Sequence, residues 1–152
     1  MGKIGRYASS SSLMDISIHF GDEKFRFNLF EELVVNENKI NTELKEQPSA
    51  YGFISMLQKK LIRRMKDRER EKDKIYGRLY LKYRGEIAEE TQRYTSDDVA
   101  KQKVIISPEY QKALGELIEA EEEVGIITSC VRSFEQRSDL IQTIAANLRK
   151  ER

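Results

Sequence analysis

The chain of 152 residues has no tryptophan, one cysteine, one histidine and two prolines. Cys130 alone cannot form an intrachain disulfide, so a disulfide-stapled scaffold is excluded, and a lone thiol fits a reducing compartment. With His19 as the only histidine, there is no Cys/His spacing for a structural zinc. Eight glycines without a period exclude a collagen-like chain. No run reaches the roughly 18 apolar residues of a membrane span. The start MGKIGRYASSSSLMD lacks an apolar core, so no cleaved secretory signal is expected. Neither a G-x-x-x-x-G-K-[ST] phosphate loop nor a G-x-S-x-G elbow occurs. His19 falls in an expected strand and Cys130 in an apolar helical run, where each reads as structural. No catalytic residue, metal or cofactor is therefore expected, and an enzyme is disfavoured.

What is abundant is charge. Asp, Glu, Lys and Arg make up 35% of the chain against 39% hydrophobic residues, a balance typical of long helices and coiled coils. The net charge of +1 conceals an asymmetry. Residues 59–84 hold 12 basic and 4 acidic side chains, whereas residues 109–124 hold 1 basic and 6 acidic. A block of this kind is a local electrostatic footprint even in a neutral chain.

The periodicity predicts a mainly α fold. A polar, serine-rich tail (1–14) is expected to be flexible. In 15–30, Ile16, Ile18 and Phe20, then Phe25, Phe27 and Leu29, alternate with polar residues about a Gly-containing turn, which reads as a β-hairpin appendage. Its aromatic face must pack on the body or on another subunit, since an isolated hairpin is marginal. Residues 31–152 read as one helical domain. Leu33, Ile40 and Leu44 predict a short helix, capped by Asn36 or Asn38 and ending before Pro48. A long helix should start at Pro48 and run to about Glu90, with Ile54, Leu57, Leu61, Met65, Ile75 and Leu79 on its seam and Arg68 and Lys72 between them. Gly77 and Gly85 predict a bend or fray. Thr95 or Ser96 should cap one helical turn, and Ser107-Pro108-Glu109 should start a second long helix. Its seam is Tyr110, Leu114, Leu117, Val124, Ile127, Val131, Phe134, Ile141 and Leu148. The simplest assembly is an elongated antiparallel helical hairpin. Such a body leaves apolar stripes uncovered, so a homo-oligomer is expected, against the alternative of a monomer covered by its own β-hairpin.

On a wheel of about 100° per residue, Lys59, Arg63, Lys66, Arg70 and Lys74 share an arc of roughly 80°, with Arg78 just beyond and the apolar seam opposite. Cations one turn apart can follow a phosphate backbone. The bland alternative is a solvated face laced with pairs such as Asp67–Arg70 and Glu71–Lys74. Next, Tyr76, Tyr80 and Tyr83 interleave with Arg78, Lys82 and Arg84, a composition suited to stacking bases and pairing phosphates. Tyr76 and Tyr83 fall nearer the seam, which leaves Tyr80 as the better stacking candidate. Glu116, Glu119, Glu121, Glu122 and Glu123 form an acidic patch that reads as an exposed face or a dock for a basic partner. Arg132 and Arg137 are candidates for interface ion pairs. The face opposite the seam has no apolar residues to insert, so a membrane surface is a weaker partner.

Over about residues 34–150 the order of features resembles the UvsY family of phage recombination mediator proteins. The DNA-binding segment of that family follows a pattern near L-K-A-R-L-D-Y-Y-S-G. Here Ile75-Tyr76-Gly77-Arg78-Leu79-Tyr80-Leu81-Lys82-Tyr83-Arg84-Gly85 is similar. Arg78 and Leu79 match directly, and a tyrosine and Gly85 match after a one-residue insertion. The family's lysine before the arginine is Tyr76 here, with Lys74 or Lys82 as substitutes. The resemblance implies a cytoplasmic, ring-like homo-oligomer that binds single-stranded DNA and helps load a recombinase onto DNA coated with single-strand-binding protein. Together with the helical wheel, the expected DNA-binding residues are Lys59, Arg63, Lys66, Arg70, Lys74, Arg78, Lys82 and Arg84 for phosphates, with Tyr80 and Tyr83 for stacking. The competing expectation is a coiled-coil assembly or scaffold protein without nucleic-acid binding.

Overall fold

The computed structural model describes residues 14–20, 22–89 and 92–150. All but the last residue of the expected flexible tail lies outside them. In chain order the elements are β1 (Asp15–Phe20), β2 (Glu23–Asn28), α1 (Leu29–Leu33), a 3-10 turn (Glu37–Lys39), α2 (Ile40–Arg84), β3 (Ile87–Ala88), β4 (Arg93–Tyr94), α3 (Asp97–Ile106) and α4 (Pro108–Lys150). The fold is mainly α, with two long antiparallel helices and a small N-terminal β-hairpin. The chain divides into two compact units, one formed by residues up to Gln58 together with Ile126–Arg152, the other by Lys59–Gly125.

In the first unit β1 and β2 pair antiparallel, with Ile16 opposite Phe27 and Ile18 opposite Phe25. The period-2 pattern places Ile16 and Ile18 in the core and Ser17 and His19 outside. The aromatic face packs within the chain, as Phe25 meets Phe53 of α2 edge-on at 5.6 Å. Asn28 closes the hairpin and opens the next element. Its Nδ2 donates to Asp15 (2.8 Å), and its Oδ1 accepts from the Glu31 N–H (3.2 Å) as the N-cap of α1. The sequence pattern gave no sign of α1, which has only five residues.

The break expected at Pro48 is absent. α2 is one helix of 45 residues with Pro48 inside it. An interior proline removes one backbone hydrogen bond and crowds the carbonyl four residues back. Here α4 grips α2 on both sides of it. Before the proline, the buried Gln47 donates to the Phe134 carbonyl (2.7 Å) and Arg137 reaches Glu43 and Gln47. After it, Ile54 and Leu57 are buried and Gln58 donates to Thr128 (3.0 Å). Asn36 caps the preceding 3-10 turn by accepting from the Asn38 N–H. On α4, Ile127, Cys130, Val131, Phe134, Ile141 and Ala145 complete this core, whereas Leu148 of the expected seam is exposed.

In the second unit α2 passes Gly77 without interruption and stops at Arg84, short of the expected Glu90. The Gly85 N–H closes the last turn, and the Arg84 guanidinium donates to the Thr95 carbonyl. The chain then turns through the two-residue ladder β3–β4, with Gln92 in the left-handed region at φ 54°. The single helical turn expected next is the ten-residue α3. Its Ala100 and Val104, four residues apart, are both fully buried, so packing extends what the Ser96 cap starts. Ser107 serves two helices. Its hydroxyl donates to the Val104 carbonyl (2.8 Å) and accepts from the Tyr110 N–H (3.3 Å), ending α3 and starting α4.

Candidate nucleic-acid interface

The basic block lies wholly in the second unit, and the fold sorts it into two sets. Arg64, Arg68 and Arg78 turn to the acids of α4, pairing with Glu123, Glu116 (2.6 Å) and Glu109 respectively. Arg64, Arg68, Glu116, Glu119, Ala120 and Glu123 line a cleft between these helices. Burial, with the charge of Arg68 second, pushes the Arg64 guanidinium below its ordinary range. Lys72, at the next seam position, bonds Asp73 (3.0 Å), which raises its ammonium. In this unit the middle of the helix seam is therefore a run of ion pairs, and Met65 and Ile75 beside it are only half-buried.

The second set faces water. Lys59, Arg63, Lys66, Arg70, Lys74, Arg78 and Lys82 are all exposed. Arg70 approaches Asp67 (3.3 Å) and Lys74 approaches Glu71 (3.9 Å), pairs three residues apart that are worth a few tenths of a kcal/mol at most. Among the described residues Lys59, Arg63 and Lys66 form no ion pair. From Lys59 to Lys74 the outward cations recur every three or four residues along roughly 22 Å of helix. Arg78 belongs to both sets, since it is exposed yet bridged to Glu109.

The aromatic end of α2 is engaged inside the unit. Tyr76 and Tyr80 stack with planes 5° apart at 6.3 Å, and Tyr110 meets Tyr76 edge-on. The half-buried Tyr80 donates its phenol to Asp97, and that bond raises the phenol's pKa. The Asp97 carboxyl is held low, first by Lys101 (2.6 Å) and then by Tyr80. Tyr83 is half-buried with the ammonium groups of Lys82 and Lys103 each 5.7 Å from its ring centre. Arg84 is half-buried and spent on Thr95.

Two expectations resolve into intrachain contacts. The acidic patch is in part the partner of Arg64 and Arg68, while Glu119, Glu121 and Glu122 stay exposed. Arg137 is an internal clamp in the first unit, binding Glu43, Gln47 and the Val34 carbonyl, whereas Arg132 is exposed. Burial raises the Cys130 thiol, as befits a packed hydrophobe. Among the described residues no group of three or more His, Cys, Asp or Glu could hold a metal ion, and no helix is long and apolar enough to cross a membrane.

Sequence reasoning missed the β3–β4 ladder, which carries the exposed Tyr94 and Arg93. Two-residue strands leave too short a pattern to read, and the only signal was an aromatic next to an arginine in a segment without helical period. No protein-family model, curated protein or solved structure matches the chain.

Proposed function

We propose that the protein is a non-enzymatic single-stranded-DNA-binding recombination mediator. It would act as a homo-oligomer that helps load a recombinase onto DNA coated with single-strand-binding protein. The observation that carries the reading is the outward file Lys59, Arg63, Lys66, Arg70 and Lys74, which remains in water after Arg64, Arg68 and Arg78 have bonded α4. A chain that needed basic residues only to hold its helices together has no use for a second file on the opposite side, in which Lys59, Arg63 and Lys66 form no ion pair among the described residues and Arg70 and Lys74 form only weak exposed ones. Phosphates supply the matching charge and spacing. An oligomer multiplies such weak contacts into useful avidity. The resemblance to the recombination mediators supplies the biological setting.

A scaffold protein without nucleic-acid binding is the second reading. It is favoured by Tyr51, Phe53 and Met56, apolar residues that one stretch of α2 leaves exposed.

Fluorescence anisotropy with labelled single strands separates the two. About five neutralised phosphates give a slope of roughly −3.5 in log affinity against log salt, or about a 100-fold loss from 50 to 200 mM. Lys59→Glu, Arg63→Glu and Lys66→Glu together should abolish binding and leave the helical content unchanged, because none of the three has an internal ion pair. Absence of binding by the native chain at low salt refutes the mediator reading.

A further inference from the structure

The cationic file supplies charge, but charge alone does not distinguish a single strand from a duplex. Discrimination needs a flat apolar surface to which unpaired bases can add. Tyr80 and Tyr83, the tyrosines at the end of α2, are half-buried and already engaged within the unit. Tyr94 stands apart. It is 71% exposed, lies on β4, and sits directly across the ladder from Ile87, itself 58% exposed. Residues opposite each other in an antiparallel pair share a face, so Tyr94 and Ile87 form one apolar surface open to water. Arg93 is exposed on the other face of the same ribbon.

This ribbon is tied to the end of the helix that carries the cations. Arg84, the last residue of α2, donates to the carbonyl of Thr95, the residue after Tyr94. The Thr95 N–H and hydroxyl both donate to the Glu86 carbonyl, at 2.9 and 3.0 Å, and Lys103 holds the Glu86 carboxylate (2.8 Å). Thr95 is buried while Tyr94 beside it is not, so the anchor is firm and the ring is free. Leu81 adds a third apolar group, 72% exposed and on the same side of α2 as Arg63 by helical phase, which corrects the expectation that this face has no apolar residue. A large aromatic left in water costs solubility and contributes nothing to the core that Ala100 and Val104 build.

We infer that Tyr94, backed by Ile87, is the platform on which an unpaired base of the bound strand stacks, with its phosphates following the cations of α2. The inference rests on the reading of the cationic file as a single-strand site. It adds the residue that separates single strands from duplexes and from other polyanions.

The test compares two ligands of equal length and charge, an oligothymidylate and an abasic deoxyribose-phosphate strand. Tyr94→Ala should weaken oligothymidylate binding by about 5- to 150-fold, the range for losing one stacked base. It should leave abasic-strand binding unchanged, and Tyr94→Phe should behave as the native chain. Because the chain has no tryptophan, Tyr94→Trp installs a unique reporter, quenched by oligothymidylate and not by the abasic strand. If Tyr94→Ala binds both ligands like the native protein, or the tryptophan responds equally to both, the platform is refuted while the cationic file stands. If the native chain binds neither ligand at low salt, the cationic file fails and the platform with it.

Discussion

Arg137 offers the sharpest quantitative test of how the first unit is held together. Its side chain is 10% exposed and that of its partner Glu43 is 13% exposed, so both charges have left most of their water. The guanidinium donates to Glu43, to the Gln47 side-chain oxygen and, at 3.3 Å, to the Val34 carbonyl. Glu43 also accepts the Asn36 N–H at 3.0 Å, the largest cause of its lowered pKa, with Arg137 adding to it against the opposing effect of burial. Arg137→Ala therefore strands the half-buried Glu43 carboxylate and the amide oxygen of the buried Gln47. Breaking a fully buried pair costs about 3–5 kcal/mol, and this partly buried one should cost about 3–4 kcal/mol. With a urea dependence of about 2 kcal/mol per molar, the midpoint should fall by roughly 2 M, read by far-ultraviolet circular dichroism. The Nε of Arg137 is buried with no partner among the described residues, so the native pair is itself imperfect. Replacing both members, as Arg137→Met with Glu43→Gln, should consequently recover most of the loss. The pH dependence has a definite sign. Glu43 has a folded pKa below its unfolded one, so its stabilisation is complete above the ordinary carboxylate range and disappears as pH falls through the folded value. In Arg137→Ala that acid-linked drop should shrink without vanishing, because the Asn36 N–H remains. An Arg137→Ala protein within about 0.5 kcal/mol of the native chain at pH 7 would refute the reasoning, since that is the scatter of surface substitutions.

Three further outcomes follow from single positions. Pro48 is exposed and costs α2 a hydrogen bond, so Pro48→Ala should stabilise, by no more than about 3 kcal/mol, in the same urea titration. A Cβ at Gly77 meets nothing within 4 Å, and Gly77→Ala should add about 1 kcal/mol by relieving the glycine penalty in mid-helix. Ser96→Ala removes the cap accepting the Val99 N–H and should cost about 1 kcal/mol, seen as faster amide exchange in the first turn of α3.

The sequence revealed the architecture where a pattern ran long enough to average out exceptions. The alternation around Ile16 and Ile18, and the cap-proline-acid start at Ser107, reappear as a hairpin and a helix start. Pro48 misled because its penalty is local, whereas the bonds of Gln47 to Phe134 and of Arg137 on α4 to Glu43 and Gln47 join residues some ninety positions apart. The capped start of α3 was legible at Ser96 but its ten-residue length was not, since Ala100 and Val104 become a core only once packed. At the candidate interface the helical wheel found the outward file. Composition could not show that Arg78 and Arg84 each have an internal partner, nor that Tyr94 is left free of the core.

The two compact units are not equivalent as segments of chain. The second, 59–125, is continuous, while the first is assembled from residues on both sides of it. On a ribosome the second unit has all its parts once residue 125 has emerged. The first must wait for its other half, because its fastenings bridge separations of 87 to 94 residues at Gln47–Phe134 and Glu43–Arg137. Long loops close slowly. A nascent chain therefore completes the segment bearing the cationic file first, while Ile16, Ile18 and the aromatic side of the β-hairpin still lack Phe134 and Ile141. During that interval the newborn protein exposes apolar surface that the finished unit buries, which makes the synthesis of α4 a step at which a chaperone has something to protect.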